Sequence, residues 1–149
     1  MNTFEMKTVI HFGENALERL KDIPYKRVLI ITDPFVVQSK MIDLITEPLT
    51  RGGKEYDIFH NVVPDAPVDK IADGVKKFLS FQPEVVVAVG GGSAIDSSKA
   101  IREFALKINH YAEVGLIAIP TTSGTGSEVT SFAVVNDTEA KVKYPLVSD

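Results

Sequence analysis

Val85-Val-Val-Ala-Val-Gly-Gly-Gly-Ser-Ala-Ile-Asp-Ser-Ser-Lys99 decides the fold of this 149-residue chain. Val85 to Val89 are all apolar, four of them Val, with no alternation. A strand that apolar suits a parallel sheet covered on both faces. Gly90, Gly91 and Gly92 follow, and the spacing then predicts a helix over Ser93–Lys107, with Ile95, Ala100, Ile101, Phe104 and Ala105 on one side. Strand, glycine turn and helix start together suit phosphate. Glycine permits positive φ and close approach of a ligand, and the first helical N–H groups and the helix dipole attract an anion. Ser93 is expected to cap the helix and offer its hydroxyl. A turn that only had to be sharp would be satisfied by one glycine. The stretch is neither G-x-G-x-x-G nor G-x-x-x-x-G-K-[ST], so the usual dinucleotide fingerprint and the P-loop are both absent.

Outward from this stretch, strands alternate with helices. Arg27–Thr32, Glu55–His60 and Gly115–Pro120 read as further strands, and Thr8–Phe12 as a short one ended by Gly13. Asn15–Lys21 reads as a weak short helix. Met41–Thr50 reads as a second helix, which Pro48 distorts or ends and Gly52-Gly53 stops. Val68 or Asp69 opens a third helix that runs to Phe81, with Ile71, Val75, Phe78 and Leu79 at core spacing. Asp33-Pro34 is a turn signal, with Asp33 forced into an extended conformation. Ser131–Val135 and Lys141–Val147 read as an antiparallel pair around a turn at Asn136–Glu139. The expected fold is α/β: a Rossmann-like, mostly parallel sheet with helices on both faces and right-handed crossovers, plus this C-terminal strand pair. No linker-like stretch divides the chain, so residues 1–149 are expected to form one domain.

Composition narrows the function. Apolar residues make up 44% and charged residues 24%, with 16 Lys+Arg against 20 Asp+Glu, a net −4. That balance gives no electrostatic case for nucleic acid or an anionic membrane. No apolar run approaches a membrane span, and the N-terminus lacks the regions of a signal peptide. With no Cys there is no disulfide, no thiolate metal site and no Cys nucleophile; a cytoplasmic location is the default. His11, His60 and His110 are isolated, in no HxxxH or HExxH pattern, and read as structural or solvent-exposed. No metal site and no catalytic Ser/His/Asp grouping is visible.

Ligands of open parallel sheets sit at the carboxyl ends of the strands. Three features meet there: Asp33, the glycine turn, and the hydroxyl-rich Thr121-Thr-Ser-Gly-Thr-Gly-Ser-Glu128. An acid at a strand end can accept hydrogen bonds from an adenosine ribose and repel a 2′-phosphate, favouring NAD over NADP. The plainer alternative is that Asp33 is an Asp-Pro turn residue. Asp96 either completes a capping pattern with Ser93 or belongs to the site. Lys99 either points toward the ligand or pairs with Asp96. Thr121, Thr122, Ser123 and Thr125 either hydrogen-bond a cofactor or satisfy their own backbone. Glu128 reads as a surface or capping residue.

Gly90-Gly-Gly-Ser-Ala-Ile-Asp-Ser-Ser-Lys99, followed by Ile119-Pro-Thr-Thr-Ser-Gly-Thr-Gly-Ser-Glu-Val-Thr130, resembles the iron-containing (group III) alcohol dehydrogenase family. His11-Phe-Gly13 and Ile31-Thr-Asp33-Pro34 match as well. The resemblance covers essentially the whole chain but only the first half or less of such an enzyme. It implies a dehydroquinate-synthase-like nucleotide-binding domain without the following helical domain, whose one Asp and three His hold Fe²⁺ or Zn²⁺. Carried over by position, it implies that Asp33 binds the adenosine ribose and that Gly90, Gly91, Gly92 and Ser93 hold the pyrophosphate. Asp96 would approach the nicotinamide, and Thr121, Thr122 and Ser123 would line the adenine and phosphate region. Lys143 would reach the nicotinamide ribose, with Lys141 as the fallback if the register is one face off. The implied activity is hydride transfer between a small alcohol or aldehyde and NAD, aided by the metal. This chain alone is expected to be inactive. Competing readings are a glycerol or polyol dehydrogenase, a dehydroquinate-synthase-like enzyme, and a non-catalytic nucleotide-binding or assembly module. Ser93, where glycerol-type relatives often carry Lys, and the 121–130 loop favour the alcohol branch. A homodimer through the terminal strands is a further expectation.

Overall fold

The computed structural model describes residues 1–3, 8–110, 113–124, 126–129, 132–137 and 142–147. Four strands, β1 (Arg27–Thr32), β2 (Glu55–Phe59), β3 (Val85–Gly90) and β4 (Gly115–Pro120), form one parallel sheet in the order β2-β1-β3-β4. The register sets Thr32 beside Val89 and Gly90 beside Pro120, so three strands finish close to level at one edge. The Thr32 hydroxyl donates to the Val89 carbonyl at 2.7 Å and ties the first two of those ends together.

Neighbouring residues along each strand serve two different cores. Leu29, Ile31 and Val86 pack with α3 (Val68–Phe81) and α4 (Gly92–Asn109). Val28, Ile30, Val85, Val87 and Val89 pack with a 3₁₀ helix (Ala16–Asp22), α1 (Pro34–Gln38) and α2 (Asp43–Arg51). Covering both faces is why β3 is buried throughout and shows no alternation. A side chain buried as fully as Ile31 stabilises the fold by about 1.5–3 kcal/mol relative to exposure. The expected α/β sheet with helices on both faces is therefore present.

The differences from expectation are local. Thr8–Phe12 forms no strand; Val9, Ile10 and Phe12 are exposed. A short apolar run gains ladder hydrogen bonds only beside a sheet edge, and this one joins none. The weak first helix is a 3₁₀ turn, held by bonds such as Glu18 N–H to the Asn15 carbonyl. Helix α2 runs through Pro48 to Arg51 and stops at Gly52. Pro48 is buried with Ile45 and Leu49, while Leu44, whose carbonyl loses its helical partner, is exposed to water. The strand pair, β5 (Phe132–Asp137) and β6 (Val142–Val147), is antiparallel as expected, but it forms a separate two-stranded sheet instead of extending the parallel one. Asn136 and Asp137, expected in the turn, lie in β5; residues 138–141 fall outside the described residues.

Candidate functional site

In the order β2-β1-β3-β4 the chain leaves β1 toward one side of the sheet and returns to its other side as β3. The ends of β1 and β3 therefore form the topological switch point, where open α/β sheets bind ligands. Asp33 stands at the end of β1, the glycine turn at the end of β3, and Thr121 just past β4.

Asp33 is extended, at φ −96° and ψ 165°, as the following proline demands. Its Oδ1 accepts from the Val36 N–H at 3.0 Å and caps α1. Pro34 takes the first helical position, where its missing N–H costs nothing. The other carboxylate oxygen faces the glycine turn: a Cβ placed on Gly90 would lie 3.2 Å from Asp33 Oδ2. The same Cβ would meet the Ala94 Cβ at 2.7 Å, and Gly90 holds a φ of +145°, so only glycine fits there. A Cβ on Gly91 would lie 3.2 Å from Thr122 Oγ1. Asp33 and Thr122 thus stand at neighbouring positions of the same bare backbone. The Thr121 N–H donates to the Gly90 carbonyl at 2.9 Å and fixes the hydroxyl loop to the turn. Thr121, Thr122 and Ser123 are all exposed.

The capping pattern expected of Ser93 and Asp96 does not form. Gly91 is the N-cap, no side chain caps the helix, and α4 begins at Gly92. Glycine lets the chain enter the helix one residue early, which leaves Ser93 inside the first turn. Its Oγ instead accepts from the Asp65 N–H at 3.3 Å. Asp65 belongs to the loop after β2, where Asp65 and Ala66 hold φ values of 67° and 45°. Sequence reasoning gave this loop no part in the site. The signal was Asp65-Ala66 framed by Pro64 and Pro67, a compact turn whose acidic residue tolerates the left-handed region.

Asp96 lies beyond the first turn, half-buried, three residues before Lys99 on α4. Lys99 is buried, at 4% exposure. Burial pushes its ammonium below the ordinary lysine range, and the carboxylates of Asp96 and Glu128 oppose that shift. Glu128, expected at the surface or in a cap, is half-buried in a 3₁₀ turn (Ser127–Val129) that packs on α4. Lys143 falls in β6 opposite Asn136, and its side chain lies outside the described structure, as do Lys141 and Thr125. His11, His60 and His110 are exposed.

A cleft of about 900 Å³ is distinct from this crevice. It runs along β4 beside Thr8–Phe12, with Lys99 and Glu128 in its wall, and it meets the crevice at Pro120. The crevice is the better candidate, because glycine backbone, carboxylate and hydroxyls converge there and the cleft is mostly apolar. Among the described residues no three of His, Cys, Asp and Glu gather where they could hold a metal ion, and no helix is long and apolar enough to cross a membrane.

The family model of iron-containing alcohol dehydrogenases matches residues 7–149. Over its whole length the chain is 38% identical to 1-propanol dehydrogenase PduQ of Salmonella typhimurium and covers 40% of that protein. It is 35% identical to the NAD-dependent methanol dehydrogenase of Bacillus methanolicus, over 100% of this chain and 43% of that one. The structure of sulfoacetaldehyde reductase from Bifidobacterium kashiwanohense in complex with NAD⁺ superimposes with a TM-score of 0.88 at 28% identity, again over 100% of this chain and 43% of the other. The chain thus spans about two fifths of the length of these relatives.

Proposed function

Since the chain belongs to the iron-containing alcohol dehydrogenase family, we propose that it is the NAD-binding part of a dehydrogenase that moves hydride between a small alcohol and the nicotinamide. The observation that carries this reading is the meeting of Asp33, the bare Gly90-Gly91 backbone and Thr122 at the switch point of the sheet. Asp33 Oδ2 accepts hydrogen bonds from the adenosine ribose while Oδ1 remains on α1. A 2′-phosphate brought to this carboxylate would be repelled, which selects NAD over NADP. The N–H groups of Gly91, Gly92 and Ser93 receive the pyrophosphate at the uncapped start of α4. Thr121, Thr122 and Ser123 add hydroxyl contacts beside it. Asp96 and Lys143 belong to the nicotinamide end of the same site.

When bound, NAD supplies the redox chemistry: its nicotinamide C4 takes the hydride from the alcohol carbon, and the hydroxyl proton is released as the aldehyde or ketone forms. The part of this chain's residues is to hold and orient the dinucleotide. The described residues do not gather a ligand set for a catalytic metal ion. The relatives' further length is where we place the metal ligands and most of the substrate pocket. On the cysteine-free composition we place the protein in the cytoplasm.

Calorimetric titration of the chain with NADH and with NADPH, repeated on Asp33→Ala, tests the proposal. The expected result is tighter binding of NADH and loss of that preference in the variant. Binding of neither nucleotide would overturn it.

A further inference from the structure

Among the large apolar side chains of α1–α4 and β1–β4, Phe35 is the most exposed, at 66%. A phenyl ring left in water is apolar surface that folding has not used. The next residue on α1, Val36, is 1% exposed and packs into the core beneath the sheet. The helix is anchored through Val36, which leaves the ring of Phe35 to another use.

Its place shows which. Phe35 follows Asp33 by two residues, so their Cα atoms lie within about 7 Å of each other. The Asp33 carboxylate has one oxygen on the Val36 N–H and the other toward Gly90. A ribose held by that second oxygen has two ends. Its C5′ carries the pyrophosphate, which the glycine turn receives. Its C1′, on the other side of the sugar ring, carries the adenine. With the phosphates drawn to the glycine turn, the base leaves the sugar in the opposite direction, past Asp33 and toward α1. A purine offers a flat π-face there, and an exposed aromatic ring is the surface that such a face stacks on.

We infer that Phe35 is the stacking face for the adenine of the dinucleotide. The inference rests on the nucleotide reading above and adds to it the residue that recognises the base, where Asp33 recognises the sugar and the glycine turn the phosphates. The ring is covered when the nucleotide is bound, which accounts for its exposure in the free chain. Stacking needs an aromatic ring and not merely apolar volume, so Trp should serve at this position and Leu should not.

The test uses the chain with NADH and with ADP-ribose, which has the same adenosine and pyrophosphate but lacks the nicotinamide. Phe35→Ala is expected to weaken both ligands by the same factor, about tenfold by calorimetry, and Phe35→Leu about as much. Urea unfolding of Phe35→Ala should match the unaltered chain, because the ring is exposed; the loss is then of a contact and not of the fold. Phe35→Trp is expected to keep the affinity. The chain has no tryptophan of its own, so this variant carries a single indole, whose emission ADP-ribose should quench. Unchanged ADP-ribose affinity in Phe35→Ala would overturn the inference, as would full affinity in Phe35→Leu or unmoved emission from Phe35→Trp at saturating ADP-ribose. In each of these cases NADH binding by the unaltered chain would leave the nucleotide reading standing. If the unaltered chain binds neither ligand, that reading falls and the inference with it.

Discussion

Two strand-to-helix junctions lie side by side at the same edge of the sheet, and they are closed in opposite ways. After β1 the chain supplies its own anion: the Asp33 carboxylate caps α1, with Pro34 behind it. After β3 it supplies none: Gly91 caps α4 with backbone alone. Every helix start leaves N–H groups to be satisfied. At the first junction that need is met internally, and the five-residue α1 acts as a wall. At the second, an 18-residue helix directs its positive end at a cradle in which side chains do not fit. On the reading proposed above, the capped junction selects the nucleotide and the uncapped one receives its pyrophosphate; Asp33 has one oxygen on α1 and the other toward the glycine turn.

The strongest way to break this comparison is to fill the cradle. Gly90→Val puts a branched side chain at a φ of +145° and against Ala94, where even a Cβ is 2.7 Å away. A stability loss of about 1–3 kcal/mol is expected from urea unfolding. NADH affinity should fall at least about a hundredfold. Gly90→Ala should do the same to a smaller extent. A Gly90→Ala chain that binds NADH like the unaltered one would show that the uncapped junction is not the receiver.

The next variant sharpens the comparison by separating the two duties of Asp33. Asn is as good an N-cap as Asp, so Asp33→Asn should keep α1 in place, with stability changed by no more than about 0.5 kcal/mol. The charge is gone, however, so the repulsion of a 2′-phosphate goes with it. NADPH affinity is expected to rise about tenfold while NADH changes little. Asp33→Ala removes both duties and should also cost about 1 kcal/mol of stability. If Asp33→Asn leaves the nucleotide preference intact, Asp33 is a cap alone.

What could be foreseen follows from how each feature is encoded. Strands β1, β3 and β4 are built on unbroken apolar runs, and α3 carries Ile71, Val75 and Phe78 at helical spacing, so pattern alone reveals them. Helix α1 was hidden because five residues are too few to show a period, and Asp33-Pro34 signals a turn as readily as a cap followed by a first helical proline. The start of α4 was misplaced because glycine has no side chain with which to announce an N-cap, so Ser93 took that part on paper. Thr8–Phe12 has a strand's composition, but composition does not tell whether an edge is there to pair with. That Asp33, the glycine turn and Thr122 come together was legible because strand ends converge in a parallel sheet. The packing of the Ser127–Val129 turn on α4 was not, since it depends on how the loop after β4 folds back.

A pair away from both junctions gives the smallest effect and serves as the control. Asp57 in β2 meets Lys77 of α3 at 2.6 Å. Burial alone would raise the Asp57 carboxyl, but the Lys77 hydrogen bond, the Ile58 N–H and the Lys77 charge together hold it below the ordinary value of 3.8. A carboxyl whose pKa is lower folded than unfolded binds fewer protons in the native state. Its stabilisation is therefore present above pH 3.8 and is lost as pH falls through the lower, folded value. Both side chains are more than a third exposed, so solvent screening limits the contribution to about 0.5 kcal/mol. Urea unfolding of Asp57→Asn should show that small loss at neutral pH, with the two curves converging as the acid is titrated. NADH affinity should not change. A fall in affinity comparable to that of Gly90→Ala would mean that binding responds to general loosening of the sheet, and the contrast between the two junctions would lose its force.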